Sequence, residues 1–146
     1  MKVLLQRVSR ASVAVEGEIT GQVGQGVLLL VGIGKTDDAA VLKPMAEKIS
    51  TLRIFPDENG RFHHSLLDIS GGALAVPQFT LFADTNKGRR PEFFEAAPPE
   101  KASPLFDAFV EELKRAGIKS VQTGVFGAHM QVELLNDGPV TIMLER

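Results

Sequence analysis

Five consecutive apolar residues, Val27-Leu28-Leu29-Leu30-Val31, stand between Gly26 and Gly32 with no polar position among them. A run this short, bounded by glycine, reads as a strand covered on both faces. Such a strand demands two packed layers, one against each side. The run is also the longest apolar stretch in the chain, far short of the ~20 residues that cross a bilayer.

The segments around it are amphipathic. Ala11, Val13 and Val15 alternate with Arg10, Ser12 and Glu16, giving a half-buried strand that turns at Glu16-Gly17 into a second strand over Glu18 to Gln22. Thr36-Asp37-Asp38 offers a helix N-cap. Leu42, Met45, Ile49 and Leu52 follow at helical spacing, with Pro44 kinking the helix or delaying its start. Arg53-Ile54-Phe55 resumes strand character before the turn Pro56-Asp57-Glu58-Asn59-Gly60. Ala73 to Phe82 reads as a central strand and Asp84 to Ala97 as a polar loop. A second helix carries Leu105, Phe106, Phe109, Val110 and Leu113 on one side. It starts at Ser103-Pro104 or one turn earlier and closes at Gly117. Strands near Val121, at Met130 to Leu135 and at Val140 to Leu144 complete the chain, the last two joined by a turn at Asn136-Asp137-Gly138-Pro139. No repeat or linker divides residues 1–146, so one domain is expected. Strands dominate, and helices between them predict some parallel pairing. The expected class is α/β: mixed β-sheets in a β/β/α layered or barrel-like arrangement, with two helices on one side.

Composition narrows the chemistry. Among 146 residues there is no cysteine, which removes disulfides, thiolate metal sites and thiol nucleophiles. Met1 to Arg7 meets charge too early for a signal peptide, so a soluble, cytoplasmic protein is expected. The net charge of −2 denies the chain an overall basic field, so any nucleic-acid contact must come from a local patch. The densest such patch is Asn86-Lys87-Gly88-Arg89-Arg90-Pro91, either a solvated loop or a set of phosphate donors.

Few side chains invite catalysis. His63 and His64, adjacent on a strand, would point to opposite faces and lack a third ligand, so no metal and no cofactor is expected. His129, among small and apolar residues, reads as structural. No Gly-x-Ser-x-Gly elbow and no Ser-His-Asp set is visible. Two segments stand out instead. In a strand, Gln78 and Thr80 would share a face, and taken alone they form a structural pair bonding to neighbouring backbone. Gly138-Pro139, taken alone, is a turn.

Together, Gln78-Phe79-Thr80-Leu81 and Asn136-Asp137-Gly138-Pro139-Val140-Thr141 resemble the paired signature motifs of the D-aminoacyl-tRNA deacylases. Gln6-Arg7-Val8, the Val13 to Gly17 hairpin, Arg53-Ile54-Phe55, Gly88 to Pro91 and Gln122-Thr123-Gly124 extend the resemblance over essentially the whole chain, in matching order. The resemblance implies a homodimer with active sites at the subunit interface. It implies a cis Gly138-Pro139 bond whose carbonyl oxygens enter the partner's pocket, bar an L side chain, and admit a D-residue or glycine. Gln78, Phe79 and Thr80 would form the catalytic wall, where the ester and the terminal adenosine lie. Arg7, with Asn136, would hold the Gly-Pro segment, and Lys87, Arg89 and Arg90 would contact tRNA. One position departs from the pattern: Pro77 stands where the family usually has Ser, so no role of a hydroxyl there carries over. The missing N–H of Pro77 predicts a bulge or an edge at that point.

The expected activity is hydrolysis of D-aminoacyl-tRNA, glycyl-tRNA included by the same filter, to free amino acid and tRNA. An aminoacyl ester is already activated, so orientation and electrostatic stabilisation suffice, and Thr80 is given a positioning role. Pro77 keeps open a non-catalytic, nucleic-acid-binding homodimer of the same fold. A small-molecule esterase is a third reading.

Overall fold

β1 (Lys2–Val15) is the strand on which the rest is assembled, and the computed structural model describes residues 1–146 throughout. One edge of β1 pairs antiparallel with β3 (Gly26–Gly32) through Lys2 to Val8, and with β2 (Glu18–Val23) through Ala11 to Val15. Its other edge pairs with β8 (Met130–Glu145) over nearly its whole length. β3 runs parallel to β6 (Gly72–Pro77), and β6 parallel to β7 (Val121–Thr123). The sheet order is therefore β2-β1-β3-β6-β7, with β8 flanking β1. β2 lies against β7, so the sheet curls into a nearly closed barrel. β4 (Phe55–Pro56) and β5 (Phe62–His64) form a separate small hairpin.

The two parallel pairings are made by helical crossovers, as the alternation of elements predicts. α1 (Leu42–Thr51) lies between β3 and β6, and α2 (Pro99–Arg115) between β6 and β7. The helices pack against each other and against one face of the sheet.

The all-apolar run at 27–31 serves two cores at once. Val27, Leu29 and Val31 face the helices together with Val3, Leu5, Ala73, Ala75, Phe106 and Phe109. Leu28 and Leu30 face the barrel interior with Val8, Val13, Leu74 and Val76. Each fully buried Leu or Phe contributes about 1.5–3 kcal/mol by leaving water, so a polar residue anywhere in β3 would damage one core or the other. β1 changes cores midway. A shift of register between Val8 and Arg10 moves the inward positions from Val3 and Leu5 on the helix side to Ala11 and Val13 on the barrel side.

Two local alternatives are decided and two expectations are revised. Pro44 delays α1 rather than kinking it: a 3₁₀ turn at Ala39–Val41, capped by Asp38 Oδ1 on the Ala40 N–H (2.8 Å), precedes a helix in which Pro44 occupies the first turn. α2 begins at Pro99, with Pro98 as its cap, so Pro104 lies inside the helix and Ser103 caps nothing. At its far end Gly117 adopts φ 101°, and Ile118 N–H returns to Leu113 O (3.3 Å), closing the helix as a glycine stop should. The strand expected over Ala73 to Phe82 ends at Pro77, and Phe79–Phe82 is a 3₁₀ turn. The segment Asn136 to Pro139 does not reverse the chain. Residues on both sides of it pair antiparallel with β1, Asn136 opposite Val8 and Thr141 opposite Gln6, so the residues between them bulge out of a strand that keeps its direction.

No helix is long and apolar enough to cross a membrane.

Candidate functional site

Pro77 ends β6 in register with Val31, without a bulge. The Gln78 N–H donates to Val31 O (2.8 Å), toward β3. Backbone donors alternate in direction along a strand, so the N–H that Pro77 lacks would have pointed toward β7. There the ladder has already finished, with Thr123 opposite Ala75 and the Gly124 N–H on Ala75 O (2.9 Å). The proline therefore sits where the β6–β7 pairing ends.

Beyond it the chain tightens. Leu81 N–H reaches Gln78 O (3.3 Å), and Ala83 N–H reaches Thr80 O (3.0 Å). The turn is seated by Phe82, whose ring lies over the backbones of Gly32 and Gly34. A β-carbon at Gly32 would meet that ring at 3.0 Å and Gln78 O at 3.1 Å. Gln78 and Thr80 come together as expected, but through the turn rather than along one face of a strand. The Gln78 Nε2 donates to Thr80 Oγ1, with Gln78 half-buried and Thr80 exposed. A turn of this type leaves the N–H groups of its first residues, Phe79 and Thr80, without partners inside the turn.

Phe79 is 57% exposed and meets Phe93 edge-on, ring centroids 5.0 Å apart. The two rings flank a cleft of about 600 Å³ that runs from Gln78 to the N-terminal end of α2. Its walls are mostly apolar, with Val31, Ala97, Phe106 and Phe126 among them. His129 is on its wall too. The side chain read as structural is exposed at the cleft rather than packed in a core. Nothing in the local sequence around His129 marks that position, because the cleft is closed by segments spread from Val31 to Val132.

A second cluster surrounds Gly138-Pro139, whose peptide bond is cis. Arg7 is 6% exposed. Its Nε donates to Asp137 O (3.1 Å) and lies 2.9 Å from Asp137 Oδ2. Its Nη1 donates to Ile54 O, and its guanidinium stands 5.8 Å from the centre of the Phe62 ring. Asn136 Nδ2 closes the base of the bulge by donating to Arg7 O (2.9 Å) and Val140 O (3.1 Å). The arginine is thus held by the protruding segment on one side and by the β4–β5 hairpin on the other. In that hairpin the rings of His63 and His64, expected on opposite faces, meet edge to face at 4.9 Å. Asp57, at its turn, is held below the usual carboxylate range chiefly by the N–H of Arg61, with His63 and His64 adding to the effect.

The two clusters do not meet within one chain. Gly138-Pro139 lies at the level of Arg7, Val27 and Ala73, whereas Gln78 is five residues further along β6 and three strands away. At ~3.3 Å per residue and ~4.8 Å per strand, that is on the order of 20 Å.

Lys87, Arg89 and Arg90 are all exposed, on a loop closed by paired hydrogen bonds between Asp84 and Glu92 (2.7 and 2.9 Å). The loop leads directly to Phe93 and so to the cleft.

The family model described as D-Tyr-tRNA(Tyr) deacylase matches residues 4–145. A D-aminoacyl-tRNA deacylase of Thermomicrobium roseum is 59% identical over 99% of this chain and 94% of its own length. One of Bacillus cereus is 52% identical over 99% of both. Among solved structures, the c-Myc DNA Unwinding Element Binding Protein superposes with a TM-score of 0.93 at 42% identity, covering 100% of this chain and 99% of that one. A probable eukaryotic D-amino acid tRNA deacylase shares the fold, with a TM-score of 0.85 at 18% identity over 98% of this chain and 97% of that one. By a family match over almost its whole length and by relatives more than half identical, the chain belongs to the D-Tyr-tRNA(Tyr) deacylase family.

Proposed function

We propose that this protein hydrolyses the ester of D-aminoacyl-tRNA in the cytoplasm, releasing the free D-amino acid and tRNA. The observation that carries the reading is the apolar cleft opening at Gln78 and Phe79, in a chain that matches the family from residue 4 to 145. The cleft is large enough for a nucleoside, and its aromatic walls suit the terminal adenosine. The aminoacyl ester would then lie at the mouth, beside Gln78 and Thr80. The N–H groups of Phe79 and Thr80 steady the developing oxyanion, the substrate's own 2′-hydroxyl orients the attacking water, and Thr80 positions rather than attacks.

In this reading the Gly138-Pro139 carbonyls reject L side chains by shape and admit D-residues and glycine. Since that segment is on the order of 20 Å from Gln78 in its own chain, the filter belongs to the active site of a second copy. The protein therefore works as a homodimer. β8 supports this, for it is a 16-residue edge strand with Leu135 and Met143 nearly half exposed, a surface that isolated proteins usually cover. Arg7 and Asn136 hold the filter, and Lys87, Arg89 and Arg90 take tRNA phosphates.

Incubation with matched D- and L-tyrosyl-tRNA tests the reading: the D-ester is expected to be cleaved and the L-ester spared. Equal cleavage would remove the filter. The likeness to a DNA-element-binding protein favours a second reading, a homodimer that binds nucleic acid without catalysis. That reading predicts tRNA binding with neither ester hydrolysed.

A further inference from the structure

Phe94 is the most exposed large apolar side chain in the molecule, at 68%. It is not on a loose loop. Glu92 is paired with Asp84, Ala96 N–H closes a tight turn on Phe93 O (3.1 Å), and Lys35 N–H donates to Glu95 O (3.0 Å). The backbone that carries the ring is therefore held at both ends of its turn, with the ring at the solvent. The ammonium of Lys35 stands 5.9 Å from the ring centre. Lys101 Nζ donates to Lys35 O (2.5 Å), placing a second cation at the backbone of Lys35. Phe93, the preceding residue, is on the wall of the cleft, so Phe94 lies just outside it. Glu92 and Glu95 belong to the same stretch, so no uniform positive field draws a polyanion here. What the site offers is an aromatic face on a fixed backbone with a cation beside it, the combination that holds an unstacked nucleobase and its phosphate.

We propose that Phe94 stacks an unpaired nucleobase of the substrate's 3′ single strand, upstream of the terminal adenosine, with Lys35 beside the adjoining phosphate. The proposal rests on the reading of this protein as an enzyme of aminoacyl-tRNA. It makes Phe94 a positioning residue, which tethers the strand so that the ester reaches Gln78.

The chain contains no tryptophan and no tyrosine, so Phe94→Trp places a single fluorophore at the site. Uncharged tRNA with its full 3′ single strand is expected to quench that emission, and tRNA trimmed back to its duplex end to quench it at least several-fold more weakly. Equal quenching by both overturns the proposal. So does emission that changes with protein concentration alone, which would mark a contact between copies. In turnover, Phe94→Ala and Phe94→Leu are each expected to raise KM for D-tyrosyl-tRNA about tenfold, within the range that base–aromatic stacking spans. kcat stays within about twofold, and D-tyrosyl-adenosine, which has no upstream base, is cleaved as before. A fall of kcat on both substrates would mean that Phe94 merely supports the loop, and unchanged kinetics on both would remove its role. If the wild type cleaves neither substrate, the underlying reading fails, while the fluorescence still decides whether a base stacks at Phe94.

Discussion

Arg7 Nε lies 2.9 Å from Asp137 Oδ2 and 3.1 Å from Asp137 O, joining the middle of β1 to the segment that bulges from β8 opposite it. The guanidinium is buried, while the Asp137 side chain is 44% exposed, so the two ends of the pair are unequal. Removing the arginine strands the Ile54 and Asp137 carbonyls and opens a hole beside Phe62. Arg7→Ala is therefore expected to cost about 3 kcal/mol. Asp137→Asn leaves Arg7 both carbonyl acceptors and should cost about 1 kcal/mol or less. Urea unfolding of the two variants reads the difference, and an equal loss in both would show that the exposed ion pair, not the carbonyl contacts, holds the bulge.

The seat of Phe82 on Gly32 sets the position of the Gln78–Thr80 turn. Gly32→Ala pushes that ring and Gln78 O by a few tenths of an ångström or more, at a cost of about 1–3 kcal/mol of stability. Misplacing groups that orient a substrate lowers rate steeply, so deacylation is expected to fall by about 10- to 100-fold in a variant that remains folded at 25 °C. Single-turnover assays beside circular dichroism check this, and full activity would detach the turn from the chemistry.

Thr80 separates two mechanisms by magnitude. As a positioning group, its loss in Thr80→Val should reduce kcat about tenfold. A covalent nucleophile would lose on the order of 10⁴-fold or more. The residue is exposed, so the variant should unfold with wild-type stability to within about 0.5 kcal/mol. A loss near the larger figure would reinstate Thr80 as the attacking group.

The cationic loop predicts a salt dependence. Replacing Lys87, Arg89 and Arg90 together by alanine should weaken tRNA binding and flatten the plot of log K against log salt by roughly 2 to 3 units, about 0.7–0.9 for each phosphate no longer neutralised. kcat on saturating D-tyrosyl-tRNA should not change. Filter binding across a salt series decides it, and an unaltered slope would return the loop to the solvent.

Asp68 predicts the acid side of stability. Its carboxylate is held below the ordinary value of 3.8, first by the Ser65 N–H (2.8 Å) and then by the Ser65 hydroxyl (2.7 Å). A group whose pKa is lower folded than unfolded stabilises the fold above the unfolded value. That contribution is lost as pH falls through the folded one. Asp68→Asn should therefore flatten the loss of stability below about pH 4, visible as a smaller drop in Tm between pH 5 and pH 3. An unchanged acid limb would show that the turn at Ser65 does not depend on the charge.

What the residues announce on their own is what depends on near neighbours in the chain. Val27 to Val31 declares a doubly covered strand, Glu16-Gly17 a hairpin, and Gly117 a helix stop, because each is decided within a few residues. The misreadings share a different cause. Gly-Pro after Asn-Asp has the chemistry of a chain reversal, yet the flanks both pair with β1, a partner more than 120 residues away. Gln78 to Phe82 has the composition of a strand, yet the preceding proline and the ring of Phe82 on Gly32 turn it into a tight coil. The cleft with His129 on its wall, and the separation of the two motif clusters, arise from register across four strands, which no local pattern encodes.

Each half of β8 is fastened to β1 independently, and the protruding residues hang between two anchors. Insertions or deletions at the tip can be absorbed there, without sliding either half or swapping its inward and outward faces. The backbone shape presented at that tip can be rewritten while the architecture that carries it stays untouched.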